Sequence, residues 1–293
     1  MIVVLTGASG LIGSALAPAL ESAGHQVRCL RHGVDWDPAA GTIEKAAFDG
    51  AEAVIHLAGQ SLAQRWSAAL KVQIRASREA GTRLIAKTLA GLANPPKVLL
   101  SASAVGWYGD GGDRELDEDA AGGTGFLAEV CAAWEAAAEP ARAAGIRVAH
   151  PRLGVVLSAW GGALAKMLPP FRLGLGGRLG SGRQWMSWIT LDDAVAALMH
   201  LLGDERLAGP VNLAAPQPVT NAAFTAALGQ ALGRPAIAAV PAAALRLLMG
   251  EMADEMLLAS QRAVPKRLLA AGFEFRWPQL PAALSGLLAP EAQ

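Results

Sequence analysis

The chain opens MIVVLTGASGLIG, residues 1–13, and the reading of this stretch decides the fold. Residues 2–5 are apolar and mostly β-branched, the composition of a strand covered on both faces. Three glycines follow at Gly7, Gly10 and Gly13, and a helical apolar pattern begins directly after them. A strand, a glycine turn and a helix in that order make a cradle for a dinucleotide diphosphate. The first glycine permits the tight turn. The second lets backbone N–H groups approach the diphosphate, and the third lets helix and strand pack closely. Ser9 adds a hydroxyl, and the helix N-terminus favours negative charge. The competing reading is a glycine-rich turn in another α/β fold.

Outward from this stretch, apolar β-branched runs alternate with helical patterns. Strands are expected over residues 2–5, 26–30, 53–57, 97–101, 147–151 and 211–214. Helices are expected over 12–23, 68–92, 125–144, 162–171, 191–202, 221–232 and 242–249. Strands separated by helices imply βαβ crossovers. The predicted fold class is therefore α/β: a Rossmann-type doubly wound parallel sheet with a smaller, mostly helical C-terminal substrate lobe. The expected division is a nucleotide-binding domain over 1–155, its sheet completed by about 190–215, and a substrate lobe from 156–189 and 216–293. Residues 110–125, DGGDRELDEDAAGGTG, read as an acidic surface loop whose charges are a solvated face. The glycine-rich run 174–183 would border a ligand cleft.

Of the 293 residues, 53% are hydrophobic and 17% charged, with 25 Lys+Arg against 25 Asp+Glu. Such a chain buries a large core, and no net field draws it to nucleic acid or an anionic membrane. Its two cysteines, Cys29 and Cys131, form no disulfide framework, which fits a reducing compartment. No apolar run reaches the roughly 20 residues of a bilayer span. A cytoplasmic protein acting on a small molecule is expected, with no metal called for.

The end of the second strand selects the cofactor. A carboxylate there would bond the ribose 2′-hydroxyl of NAD. The sequence reads HQVRCLRHG, residues 25–33, with Arg28, Arg31 and His32 around the position. A guanidinium suits a 2′-phosphate through charge-assisted bonds. Arg31 sits at the strand's end and is the better candidate, so NADP(H) is expected in preference to NAD(H). Asp35 lies slightly later and keeps NAD(H) open. In AVIHLAG, residues 53–59, small Ala58 and Gly59 let the chain pass close to the adenosine half, and His56 reads as a packed core residue.

With these pieces placed, the chain resembles the extended short-chain dehydrogenase/reductases, the NAD-dependent epimerase/dehydratase superfamily. The residues that carry the resemblance are TGASGLIG, HLAG, KVLLSASAVGWYG and WMSWITLDDAVAAL, in the family order. More narrowly, it is similar to a subgroup with a small C-terminal domain of unassigned function. That match rests on SASAVGWYGD, GGALAKMLPPFRLGLGGRLGSGRQWMSWI, PVTNAAFTAALGQALGRP and GEMADEMLLASQR. The resemblance implies a bound nicotinamide dinucleotide, a preference for NADPH, and a cleft roofed by the C-terminal lobe. It carries cofactor contacts to Gly7, Ser9, Gly10, Leu11, Ile12 and Gly13, to Arg31, and to Leu57, Ala58 and Gly59. Arg78 takes the place where the superfamily often has an asparagine, and is expected to reach the cofactor or to substitute structurally for that asparagine. Related proteins often dimerise through two helices, yet Lys71, Arg75 and Arg78 make one of these strongly charged here, so monomer and homodimer both stay open.

The resemblance also exposes a departure. The superfamily places a tyrosine and a lysine four apart on one helix, with a serine on the preceding strand to hold the substrate oxygen. Ser103 fits that serine, with Ser101 as the alternative. The helix, GFLAEVCAAWE over 125–135, has neither partner of the pair. Alignment on Glu135 puts Leu127 and Cys131 at the two positions; a shift of one puts Phe126 and Val130 there. The single tyrosine, Tyr108, is a candidate acid, a pocket-shaping residue or a packing residue. Glu129 reads as a surface carboxylate and Cys131 as an inert buried thiol. Substrate contacts are expected from Arg152, whose other expected partner is a neighbouring carboxylate, and from Lys166. Gln184, Trp185 and Trp188 are expected to form a wall, the two tryptophans sharing a face. Asp192 reads as a helix N-cap. The first functional reading is an NADP(H)-dependent oxidoreductase, epimerase or dehydratase acting on a small polar molecule without the usual pair; a non-catalytic NADPH-binding sensor or scaffold is the second.

Overall fold

The computed structural model describes residues 1–289. Its main sheet is built from β1 (Ile2–Thr6), β2 (Gln26–Leu30), β3 (Ala53–His56), β4 (Val98–Ser101), β5 (Ser103–Ala104), β6 (Arg147–Leu153) and a late strand, Gly209–Leu213. The spatial order is Gly209–Leu213, β6, β4, β3, β1, β2, with β5 also pairing β6. All of these pairings are parallel. The chain leaves β1 toward β2 on one side and returns to β3 on the other. The order reverses at β1, and in such sheets ligands bind in the crevice outside the strand ends at that point.

The helices between the strands are α1 (Leu11–Ser22), α2 (Ala68–Ala90), α3 (Phe126–Ala136), α4 (Glu139–Ala143), α5 (Gly162–Arg172) and α6 (Leu191–Gly203). Alternation along β1 assigns the two faces. Val3 and Leu5 pack with Leu16, Leu20, Leu198 and Leu201 on the α1/α6 side. Val4 packs with Ile85, Leu89 and Ala141 on the α2/α4 side. Each fully buried Val, Leu or Ile among these contributes about 1.5–3 kcal/mol. A third core joins Leu164, Leu168 and Phe171 of α5 to Trp188, to Phe224 and Leu228 of α7 (Asn221–Leu232), and to Leu280 and Leu284 of a final helix, Leu280–Leu288.

Two expectations change. The helix expected over 125–144 is two, α3 and α4, separated at Ala137 and Ala138. Pro140 stands in the first turn of α4, where its missing N–H costs nothing but where it prevents continuation of α3. The acidic run 110–125 is not a free solvated face. The backbone N–H of Ser260 donates to Asp110 (3.1 Å), and Ser260 donates its hydroxyl hydrogen to the Gly112 carbonyl oxygen. Lys266 pairs with Asp117 at 2.7 Å and with Asp119 at 3.1 Å. These carboxylates face cations on the C-terminal segment rather than water alone.

Candidate functional site

The turn after β1 is shaped by contact as well as by conformation. Gly7 has φ +75°, a left-handed geometry, and a Cβ there would lie 2.8 Å from the backbone N of Ala58. A Cβ on Gly13 would overlap the carbonyl oxygen of Gly7. The two glycines therefore let α1 and the Leu57–Ala58 backbone close on the turn. Gly10 caps α1 with no side-chain bond, so the first-turn N–H groups of Leu11 and Ile12 have no side-chain acceptor. This cradle fits a dinucleotide diphosphate: donors and the positive helix end converge where no side chain intrudes. Ser9 and Gly10 line a cavity of about 540 Å³ beside it.

At the end of β2, Arg31 is exposed and pairs with Asp35. Its Nε donates to Asp35 Oδ2 at 3.1 Å and its Nη2 to Oδ1 at 3.3 Å, while its backbone N–H donates to Oδ2 at 2.7 Å. These bonds hold the Asp35 carboxyl below the usual carboxylate range. Arg28 is otherwise engaged, donating to the carbonyls of Ala47 and Asp49. Across the turn, Arg78 is buried; its Nη1 donates to the carbonyls of Gln60 and Ile74. A Cβ on Gly59 would lie 3.4 Å from the Arg78 Cζ, so the guanidinium lies flat against that glycine. Its other face lies over Trp134, 5.0 Å from the ring. His56 is fully buried, with Nδ1 2.6 Å from the Thr6 hydroxyl. Burial pushes it down to about 3, so it is neutral.

On α3, Leu127 and Cys131 are both buried. Burial, and then the Glu135 charge, push the Cys131 thiol up to about 11, which keeps it protonated and unreactive. Glu129 pairs with Arg75 on the surface. One turn beyond Cys131, Glu135 organises a buried network. Ser103 donates its hydroxyl hydrogen to Glu135 Oε1 at 2.6 Å. Arg152 binds the same carboxylate through Nε (2.8 Å) and Nη2 (2.9 Å). Its Nη1 donates to the Tyr108 hydroxyl at 3.0 Å, and that hydroxyl donates to Asn212 Oδ1 at 2.8 Å. Burial raises the Tyr108 phenol above its ordinary range, partly offset by Arg152. Ser103 and Tyr108 are each 1% exposed and Arg152 2%, so these groups face one another and not a cleft. Of the two partners expected for Arg152, the neighbouring carboxylate is the one present. Glu135 and Asn212 were not singled out from the sequence. The available signal was a lone carboxylate on the apolar face of α3.

The profile of the NAD dependent epimerase/dehydratase family matches residues 3–214. The chain belongs to this family. A second profile, a domain of unknown function (DUF1731), matches residues 240–287. An epimerase family protein of Mycobacterium bovis is 48% identical over 284 residues, covering 94% of this chain and 93% of the relative. The human epimerase family protein SDR39U1 is 36% identical, covering 99% of this chain and all of the relative. A crystal structure of human SDR39U1 (isoform 2) with NADPH superposes with a TM-score of 0.87 at 34% identity, covering 98% of this chain and 99% of that one.

In this epimerase/dehydratase-family chain, the residues expected as a substrate wall are dispersed. Trp185 and Trp188 are three positions apart, so they cannot share a face. Trp188 is fully buried in the third core, and its indole N–H donates to the Gln217 carbonyl. The Trp185 indole donates to Asp113, and Arg262 covers its ring. The Gln184 amide is consumed by the carbonyls of Leu179 and Leu257. Lys166 donates to the Ala63 carbonyl at 3.3 Å from an exposed position. Asp192 is not the N-cap of α6; Thr190 is, accepting from the Asp193 N–H. Asp192 instead pairs with Arg276 on the surface.

Proposed function

We propose that this chain binds NADP(H) in the Gly7–Gly13 cradle and acts as an oxidoreductase on a small polar molecule. The observation that carries the reading is the closure of Gly7 against Ala58 and of Gly13 against Gly7, beneath a helix end with no side-chain cap. The Leu11 and Ile12 N–H groups hold the diphosphate, and the Ser9 hydroxyl supplements them. Arg31 takes the 2′-phosphate. Leu57, Ala58 and Gly59 pass along the adenosine half, with Arg78 beside them. A bound nicotinamide supplies hydride transfer. NADPH in a crystal structure of human SDR39U1, a relative along nearly the whole chain, supports this choice of cofactor.

The protein's own contribution to proton transfer differs from the superfamily pattern. Leu127 has no ionisable proton, the Cys131 thiol keeps its proton at neutral pH, and the Ser103 hydrogen is donated to the Glu135 carboxylate that Arg152 clamps. A substrate that draws its proton from water, or that needs none, suits such a site. The test is calorimetric titration with NADPH and NADH, followed by NADPH oxidation across carbonyls, sugar nucleotides and flavins. Saturable binding with turnover on one class supports the reading; failure to bind either dinucleotide defeats it.

A second reading, a non-catalytic NADPH sensor or scaffold, is favoured by one observation. Tyr108 and Ser103 both spend their hydroxyl hydrogens inside the protein. Stoichiometric NADPH binding without oxidation across the whole panel would select it.

A further inference from the structure

The Arg31 guanidinium has one side occupied by Asp35 and another that no side chain among the described residues covers. Its side face, Nε and Nη2, is taken by the two oxygens of Asp35. Its end face, the remaining hydrogens of Nη1 and Nη2, points away from that carboxylate. A planar guanidinium can bind two oxyanions in this way, one on each face. The turn is built to keep the pair together. Asp35 Oδ2 also accepts the Arg31 backbone N–H, and the Asp35 N–H returns to the Arg31 carbonyl at 2.9 Å. No other cation of β2 substitutes, because Arg28 is committed to Ala47 and Asp49. His32 is engaged with the Trp36 ring at 5.7 Å.

We infer that Asp35 is a specificity-determining residue that restrains the preference for the phosphorylated cofactor. It orients Arg31 toward the 2′-position and at the same time offsets its charge. This rests on the cofactor reading above and adds to it. The Arg31–Asp35 pair carries no net charge, so a 2′-phosphate gains only from being nearer the guanidinium than the carboxylate. NADH, with a 2′-hydroxyl, loses little by comparison. The site therefore accepts both cofactors with a modest bias toward NADPH, although an arginine stands at the end of β2.

The experiment measures Kd for NADPH and for NADH by calorimetry on the wild-type protein, Asp35→Asn and Asp35→Ser. Asparagine keeps an acceptor for the Arg31 N–H groups and serine keeps a turn-compatible side chain, while both remove the charge. Removing one negative charge a few ångströms from a phosphate should raise the NADPH-over-NADH affinity ratio about three- to tenfold. Arg31→Ala should collapse that ratio toward one. Circular dichroism confirms that each variant is folded, and two unlike replacements guard against the failure of either one. A ratio in both Asp35 variants that stays within about twofold of wild type, or moves toward NADH, overturns the inference and leaves the cofactor reading standing. A wild-type protein that binds neither dinucleotide overturns both.

Discussion

Glu255 accepts the backbone N–H of Phe126 through Oε1 and that of Leu127 through Oε2, each at 3.1 Å. A carboxylate from the segment matched by the domain of unknown function thus caps α3, the helix on which the superfamily carries its tyrosine and lysine. Gly125 makes the approach possible, because a Cβ there would lie 2.5 Å from the Glu255 carboxylate. Nearby, Lys71 of α2 binds Glu251 at 2.7 Å and lies over the Phe126 ring. The C-terminal segment fixes the first turn of α3 from outside the Rossmann sheet.

Removing this cap should be measurable locally. Glu255→Ala should cost about 1 kcal/mol, the usual loss for a helix N-cap. Amide hydrogen exchange at Phe126 and Leu127 should accelerate while exchange in β1 and β4 stays unchanged. Unaltered protection at those two amides would show that the cap carries no weight.

The Glu135–Arg152 pair should matter more. Arg152 is buried and the Glu135 side chain is 11% exposed, so removing one leaves the other charged and unpaired in a largely dry setting, where fully buried pairs lose about 3–5 kcal/mol. Glu135→Ala should lower the urea midpoint strongly, and Glu135→Gln less, because the amide oxygen still accepts from Arg152. If Glu135→Ala unfolds at the wild-type midpoint, the network does not hold the fold.

Tyr108 is expected to support structure and not proton transfer. Tyr108→Phe removes its bonds to Asn212 and Arg152 and should destabilise by about 1–3 kcal/mol. NADPH affinity should be unchanged, and any turnover found should persist at a comparable kcat. A collapse of kcat with an intact fold and intact affinity would return Tyr108 to the role of acid.

Gly13→Ala should separate folding from binding. The added methyl meets the Gly7 carbonyl, which must move, and overpacking of this kind costs about 1–3 kcal/mol. The displaced turn should bind NADPH at least tenfold more weakly, read by calorimetry on protein that still melts cooperatively. Wild-type affinity in this variant would detach the cradle from the cofactor.

His56 predicts a pH dependence of stability. Its folded-state value, about 3, lies below its ordinary 6.5, so the unfolded chain binds the proton first as pH falls. The stabilisation is complete above pH 6.5 and is lost progressively from 6.5 down toward 3, at about 1.4 kcal/mol per pH unit within that window. In His56→Leu that slope should be shallower between pH 6.5 and 4, measured by denaturant titration at each pH. Parallel slopes in the two proteins would show that another group is responsible.

The cradle, the order of strands and helices in the nucleotide-binding part, and the family were legible in the sequence. Glycine spacing, continuous apolar β-branched runs and helical periodicity constrain each residue through neighbours only a few positions away. The α3/α4 break was equally local, carried by Pro140. What tertiary structure alone decided is where long-range partners meet. The acidic residues near 117 read as a solvated run until Lys266 and Arg267 arrived from about 150 positions later in the chain. Trp188 became core because α5, α7 and the last helix close over it. Ser103 became a donor to Glu135, and Arg152 its clamp, because β5, β6 and α3 bring the three side chains together. Charge pairing and burial depend on distances in space, which local spacing along the chain does not fix.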